Sequence, residues 1–85
     1  SKFMSSFYLM ITLYPNPTSD ELFVLGNIES IYNLRLFTLS GVNIPVNFAR
    51  DNYLVILPEG LPSSTYILII ESEFGVQQER IILTR

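Results

Sequence analysis

Along this chain, apolar and polar positions alternate in short bursts broken by turn residues. The apolar segments are Met10–Tyr14, Glu21–Leu25, Asn33–Leu39, Val42–Asn47, Tyr53–Leu57, Thr65–Glu71 and Val76–Thr84. Between them lie Pro15 to Asp20, Gly26-Asn27, Ser40-Gly41, Arg50-Asp51-Asn52, Pro58 to Ser64 and Glu73-Phe74-Gly75. Strand starts recur roughly every 10 residues, the rhythm of a β-sandwich or barrel. Val, Ile, Thr, Tyr and Phe dominate the segments, and these residues suit a pleated, half-buried surface. In Asn33–Leu39, Leu34, Leu36 and Thr38 share one face, while Arg35, Phe37 and Leu39 share the other. That is period two, and no window carries a helical period.

Three segments carry more detail. Thr65–Glu71 is apolar on both faces, which predicts a central strand or one whose outer face is covered. The last segment changes phase, with Val76 and Ile82 on one parity and Ile81 and Leu83 on the other. A bulge or twist near Glu79-Arg80 would account for it. Ser40-Gly41 predicts a tight hairpin between the third and fourth strands, because Gly41 can take a positive φ. A single helical turn near Asn27–Ser30 is compatible with the pattern. Pro15 and Pro17 cannot donate to a sheet ladder and keep Tyr14 and Asn16 out of the α region, so the first strand must stop there. The expected fold is all-β: an Ig-like or fibronectin-like sandwich of about seven antiparallel strands in two layers.

Composition narrows the function more than the fold. Eighty-five residues make one domain, since a second core would leave both halves too small. The chain is 48% hydrophobic, and its mean hydropathy of +0.34 is high for a domain with a solvated exterior. Some apolar area should therefore stay exposed, marking a partner, a missing neighbour domain or an aggregation hazard. The net charge is −3 and the five basic residues are scattered, so there is no basic stripe to bind nucleic acid or an anionic membrane. No apolar run approaches the roughly 20 residues that span a bilayer. With no cysteine and no histidine, a Ser-His-Asp triad, a Cys-His pair and a conventional zinc site are excluded within the chain.

The remaining candidate chemistry is thin. Asp20 and Glu21 are adjacent, so on a strand they would point to opposite faces and could not flank one glycosidic bond. Glu71, Glu73 and Glu79 lack a calcium-loop pattern and read as a solvated edge. The four glycines form no phosphate-cradling loop. No cofactor is expected, and no enzymatic activity.

Several elements coincide in order. Leu13-Tyr14-Pro15-Asn16-Pro17 opens the domain, with Leu22 on the next strand and Leu39-Ser40-Gly41 at a hairpin turn. Leu61-Pro62-Ser63-Ser64-Thr65-Tyr66 leads into Ile67–Ile70, and a final strand holds Arg80-Ile81-Ile82 before Arg85. Together, from about Ile11 to Arg85, these resemble the type A C-terminal sorting domain of the type IX secretion system of Bacteroidota. Tyr-Pro-Asn-Pro on a short apolar strand, followed about fifty residues on by Leu-Pro-x-x-x-Tyr, is far more specific than Pro-Asn-Pro alone. Family members carry glycine where this chain has Ser64, which bears on the turn before Thr65. Their tails are lysine-rich where this one has Arg80 and Arg85.

The resemblance implies a domain at the C-terminus of a larger exported protein, with a cargo domain preceding it. It implies two protein partners: an outer-membrane translocon that reads the domain, and a surface sortase that commonly removes it. The implied location is the cell surface or medium, reached through the periplasm. The sorting-motif candidates are Tyr14, Pro15, Asn16, Pro17, Gly41, Leu61, Pro62, Tyr66, Arg80 and Arg85. For the proline corner the plain alternative is a rigid stop to the first strand, and for Tyr66 a core tyrosine with its hydroxyl at the rim. Arg80 and Arg85 have the better claim to touch a partner, on a terminal strand whose edge could accept an added strand.

Two rival functions stand beside this one. An accessory Ig- or fibronectin-like module binding carbohydrate or protein would show grouped exposed aromatics, and Tyr8, Tyr14, Tyr32 and Tyr53 are not visibly grouped. A structural or oligomerisation domain, including a homodimer through exposed strands, is made credible by the apolar content. Residues 1–10 read as a linker from the cargo, a vector remnant, or an extra strand using Phe3, Phe7 and Leu9. A signal peptide is disfavoured there, because Lys2–Tyr14 lacks a small-residue cleavage site and runs straight into the prolines.

Overall fold

The computed structural model describes residues 11–85, and the readings of residues 1–10 lie outside this range. Among the described residues eight strands form: β1 (Ile11–Tyr14), β2 (Glu21–Gly26), β3 (Ile31–Thr38), β4 (Asn43–Ile44), β5 (Asn47–Ala49), β6 (Leu54–Ile56), β7 (Ser64–Ser72) and β8 (Gly75–Leu83). Short 3-10 turns at Ile28–Ser30 and Arg50–Asn52 join β2 to β3 and β5 to β6. The strands make two four-stranded antiparallel sheets, ordered β1-β2-β6-β5 and β4-β3-β7-β8. The all-β sandwich expected from the alternation is the fold observed.

The core lies between the sheets and follows the alternation. Ile11, Leu22, Val24 and Val55 point inward from the first sheet. Ile31, Leu36, Tyr66, Leu68, Ile70, Ile81 and Leu83 meet them from the second, and Leu57 joins the same cluster. Removing each such aliphatic side chain from water contributes about 1.5–3 kcal/mol, which is how so small a domain offsets its ordering entropy. β7 is central, flanked by β3 and β8, and its outward Ile67 and Ile69 are half-buried as its two apolar faces predicted.

Two readings of the pattern need correction. Val42–Asn47 is not one strand: it splits at Pro45 into β4, which pairs with β3, and β5, which pairs with β6 in the other sheet. Proline cannot supply the ladder N–H, so the chain changes sheet there, and eight strands result rather than seven. Nor is there a bulge near Glu79-Arg80. The β7–β8 register runs unbroken from Ser64 opposite Leu83 to Ser72 opposite Gly75, and the irregularity lies between Ile31 and Asn33 on β3.

The phase change in β8 has a different cause. Gln77 and Glu79 share their parity with the buried Ile81 and Leu83, so the inward side of β8 begins polar and ends apolar. There β8 is a sheet edge beside β1. Gln77 Nε2 donates to the Ile11 carbonyl (2.8 Å) and to Glu79 Oε2 (2.7 Å), and the Ile11 N–H donates to Gln77 Oε1 (3.2 Å). A side-chain amide thus stands in for a neighbouring strand across the open side of the sandwich.

Candidate functional site

The candidate site is built where β1 ends. Tyr14 sits directly opposite Phe23 of β2 on the outer face of the first sheet. Their rings lie 5.6 Å apart at the centroids and are tilted by 30°, with 48% and 42% of each residue exposed. That geometry falls in the range where aromatic pairs attract beyond simple area burial. The Tyr14–Pro15 and Asn16–Pro17 peptide bonds are both cis, and after β1 the chain crosses to the edge of β8.

Asn16 makes the crossing hold. Its Nδ2 donates to the Arg80 carbonyl (2.7 Å), and its Oδ1 accepts from the Ile82 N–H (2.9 Å). Two residues later the backbone takes over: the Thr18 N–H donates to the Ile82 carbonyl and the Thr84 N–H donates to the Thr18 carbonyl, both at 2.8 Å. Thr18 is buried and pairs in parallel with Leu83. Its hydroxyl donates to the Glu21 carbonyl (2.6 Å) and accepts from the Asp20 N–H (3.3 Å), closing the turn into β2. With two prolines lacking N–H groups, a side-chain amide is the available way to continue the pairing.

The edge of β8 from the Arg80 carbonyl to the Thr84 N–H is therefore already occupied. That leaves only the stretch of this edge before Arg80 open to an added strand. Inward-pointing Gln77 and Glu79 sit on that stretch, and such residues guard edges against pairing.

Arg85 forms the other side of the site. Its Nε donates to the Ser19 carbonyl (3.0 Å) and its NH1 to the Leu61 carbonyl (2.8 Å). The Arg85 N–H donates to Ser63 Oγ (2.8 Å), which donates in turn to the Arg85 carbonyl (3.3 Å). Its NH2 lies 3.7 Å from Asp20. Tyr66 is a core residue, 3% exposed, whose hydroxyl donates to the Pro62 carbonyl at the rim (2.6 Å). Ser64 is extended at the start of β7, and Tyr53 is the one non-glycine with positive φ among the described residues, so the turn before Thr65 does not need glycine.

The structure thus brings Tyr14, Pro15, Asn16, Pro17, Leu61, Pro62, Arg80 and Arg85 to one end of the sandwich, with Tyr66 beneath them. Gly41 lies at that end too, in the turn after Thr38, which sits opposite Tyr66, but across β7 from the corner. Gly41 has φ +93° at the β3–β4 turn, where the Thr38 N–H donates to the Val42 carbonyl, and β3 is separated from β8 by β7. Arg80 reaches the corner only through its carbonyl, and its exposed side chain lies on the outer face opposite Ile67. Thr18, Ser63, Phe23 and Ile82 are members of the site that sequence reasoning missed. Ile82 takes part through its backbone, which no residue type announces.

At the opposite end, Ile28, Glu29, Arg50, Asp51 and Tyr53 line an open depression. Its cation is in use: Arg50 donates to the Ile28 and Ile31 carbonyls and lies 5.1 Å over the Phe48 ring. Among the described residues no cluster of three or more acidic side chains could hold a metal ion. The corner itself offers backbone, two prolines, two aromatic rings and a guanidinium, which is an equipment for recognition by shape.

Comparison with known proteins agrees with this geometry. No curated protein and no solved structure matches the chain. The family model for the secretion system C-terminal sorting domain matches residues 12–84, a span that includes the corner, the Leu61–Tyr66 box and β8. The chain belongs to that family of type IX secretion C-terminal sorting domains.

Proposed function

We propose that this domain directs an attached cargo protein through the type IX system to the cell surface or the medium, and that the surface read is folded. The observation that supports this best is the joining of Asn16 and Thr18 to residues 80–84 by four hydrogen bonds of 2.7–2.9 Å, two from each. Motif residues distant in sequence are thereby presented as one rim. In this reading the domain makes and breaks no bond itself, and its partners are a translocon and a surface sortase acting on the cargo junction. The rim's exposed groups, Tyr14, Phe23, Pro15 and Pro17, are the contact residues, with the Arg80 side chain beside them on the outer face of β8.

The test is a secreted reporter fused ahead of the domain in a bacterium that has the system. Surface or medium delivery is expected with this domain, and periplasmic retention when an unrelated β-sandwich replaces it. Equal delivery by the replacement would leave the domain a spacer. The exposed Tyr14–Phe23 pair is the one observation favouring a glycan-binding module, and saturable glycan pull-down with the isolated domain would support that alternative.

A further inference from the structure

We infer that Asn16 is a positioning residue that couples the shape of the Tyr14–Pro17 corner to the docking of residues 80–85, so that the sorting surface exists only while the closing strand is in place. This deepens the sorting reading and rests on it.

Pro15 and Pro17 have no N–H, and Asn16 is exposed, so hydrophobic burial does not fix Pro15 to Pro17. The side-chain bonds from Asn16, and the Thr18 backbone bonds beyond it, all end on Arg80, Ile82 or Thr84. Arg85 then holds the following turn at Ser19. On its other flank the corner continues from β1, a four-residue edge strand paired along one side with β2. If residues 80–85 leave, the segment from Pro15 to Ser19 loses these ties together, while most of the core remains. The Asn16 side-chain amide carries both the donor and the acceptor that this requires.

The same arrangement separates two ways in which a change can weaken recognition. Tyr14 contributes surface to a partner and holds nothing on β8. Asn16 holds the surface and acts through its shape. A change in either lowers export, but only a change at Asn16 loosens the amides across the corner.

The experiment measures reporter delivery and site-resolved amide exchange on the same fusions. Asn16→Ala is expected to raise exchange at Ile82 by about tenfold, with a smaller rise at Thr18 and Thr84, and to lower delivery. Tyr14→Ala should lower delivery with exchange unchanged. Asn16→Asp keeps an acceptor for Ile82 and loses the donor to Arg80, so it should recover part of both. Exchange at the core residues Val55 and Leu68 reports whether the fold survives. Faster corner exchange in Asn16→Ala with full delivery would overturn the inference while leaving the sorting reading intact, and so would unchanged exchange with reduced delivery. If the unaltered fusion stays inside while exchange responds as stated, the sorting reading fails and the mechanical coupling stands alone.

Discussion

Asn16 and Ile82, 66 residues apart in the chain, share a 2.9 Å hydrogen bond from the Ile82 N–H to the Asn16 side-chain oxygen. The same amide donates to Arg80 at 2.7 Å. Both bonds lie at the surface, where water competes for each group, so each is worth the low end of the usual 0.5–1.5 kcal/mol. Asn16→Ala should therefore lower the unfolding free energy by about 1 kcal/mol, read from the urea midpoint at unchanged m-value. A loss several times larger would mean that the corner holds the core as well.

Arg85 and Asp20 give a prediction in which charge and hydrogen bonding separate. The guanidinium donates to the Ser19 and Leu61 carbonyls, whereas its approach to Asp20 is 3.7 Å with the carboxylate side chain 64% exposed. An exposed pair of that kind gives little. Asp20→Ala should change stability by less than about 0.5 kcal/mol. Arg85→Ala should cost about 1 kcal/mol or more, and its effect should be insensitive to salt. Equal effects that fade in 0.5 M salt would place the contribution in the ion pair.

The two faces of β7 should respond unequally to truncation. Leu68 is fully buried between the sheets, while Ile67 lies half-buried on the outer face between Phe37 and Arg80. Leu68→Ala should cost about 2–5 kcal/mol through lost burial and the cavity left behind. Ile67→Ala should cost distinctly less, since water and neighbouring side chains can fill its place. Thermal or urea unfolding of both variants decides it.

How much of this was written locally in the chain depends on where each residue's partners come from. Leu34, Leu36 and Thr38 announced β3 because they share the core-facing side of the sheet with Ile70, Leu68 and Tyr66 of β7, and the alternation records that. Pro15 and Pro17 announced the corner because proline fixes its own φ. Pro45 carried the signal that β4 and β5 part company, but a short apolar run on both sides of it hid the change of sheet. Gln77 and Glu79 looked out of phase because their environment is the open side beside β1, which only the assembled sandwich defines. Asn16 has the least local signature. Its role rests on backbone groups of Arg80 and Ile82, and backbone groups carry no sequence information about their partners.

Gly41 illustrates a residue whose requirement is conformational and whose surroundings are empty. Its φ is +93° and a Cβ there would meet nothing within 4 Å. Gly41→Ala should still cost about 1 kcal/mol, because an L side chain disfavours that backbone. As β7 separates the Gly41 turn from the corner on β8, reporter delivery should stay at the unaltered level. Reduced delivery at preserved stability would make the β3–β4 hairpin part of the read surface.

The inward polar residues of β8 invite the last prediction. A flat apolar edge strand is a template for pairing with another chain, and an inward-pointing charge is a common guard against it. On β8 the corner covers the stretch from Arg80 onward, so the guard is needed before it, and Gln77 and Glu79 stand there. Replacing both, Gln77→Val with Glu79→Val, removes the amide that covers the Ile11 backbone and makes the edge apolar along its inward side. The variant should gain concentration-dependent self-association over the unaltered protein, visible by sedimentation velocity. Glu79→Val alone should show less, because Gln77 still bonds Ile11 across the gap. If the double variant sediments as the unaltered protein does, the polarity of this edge serves the contact with β1 alone, and guarding against other strands is no part of its role.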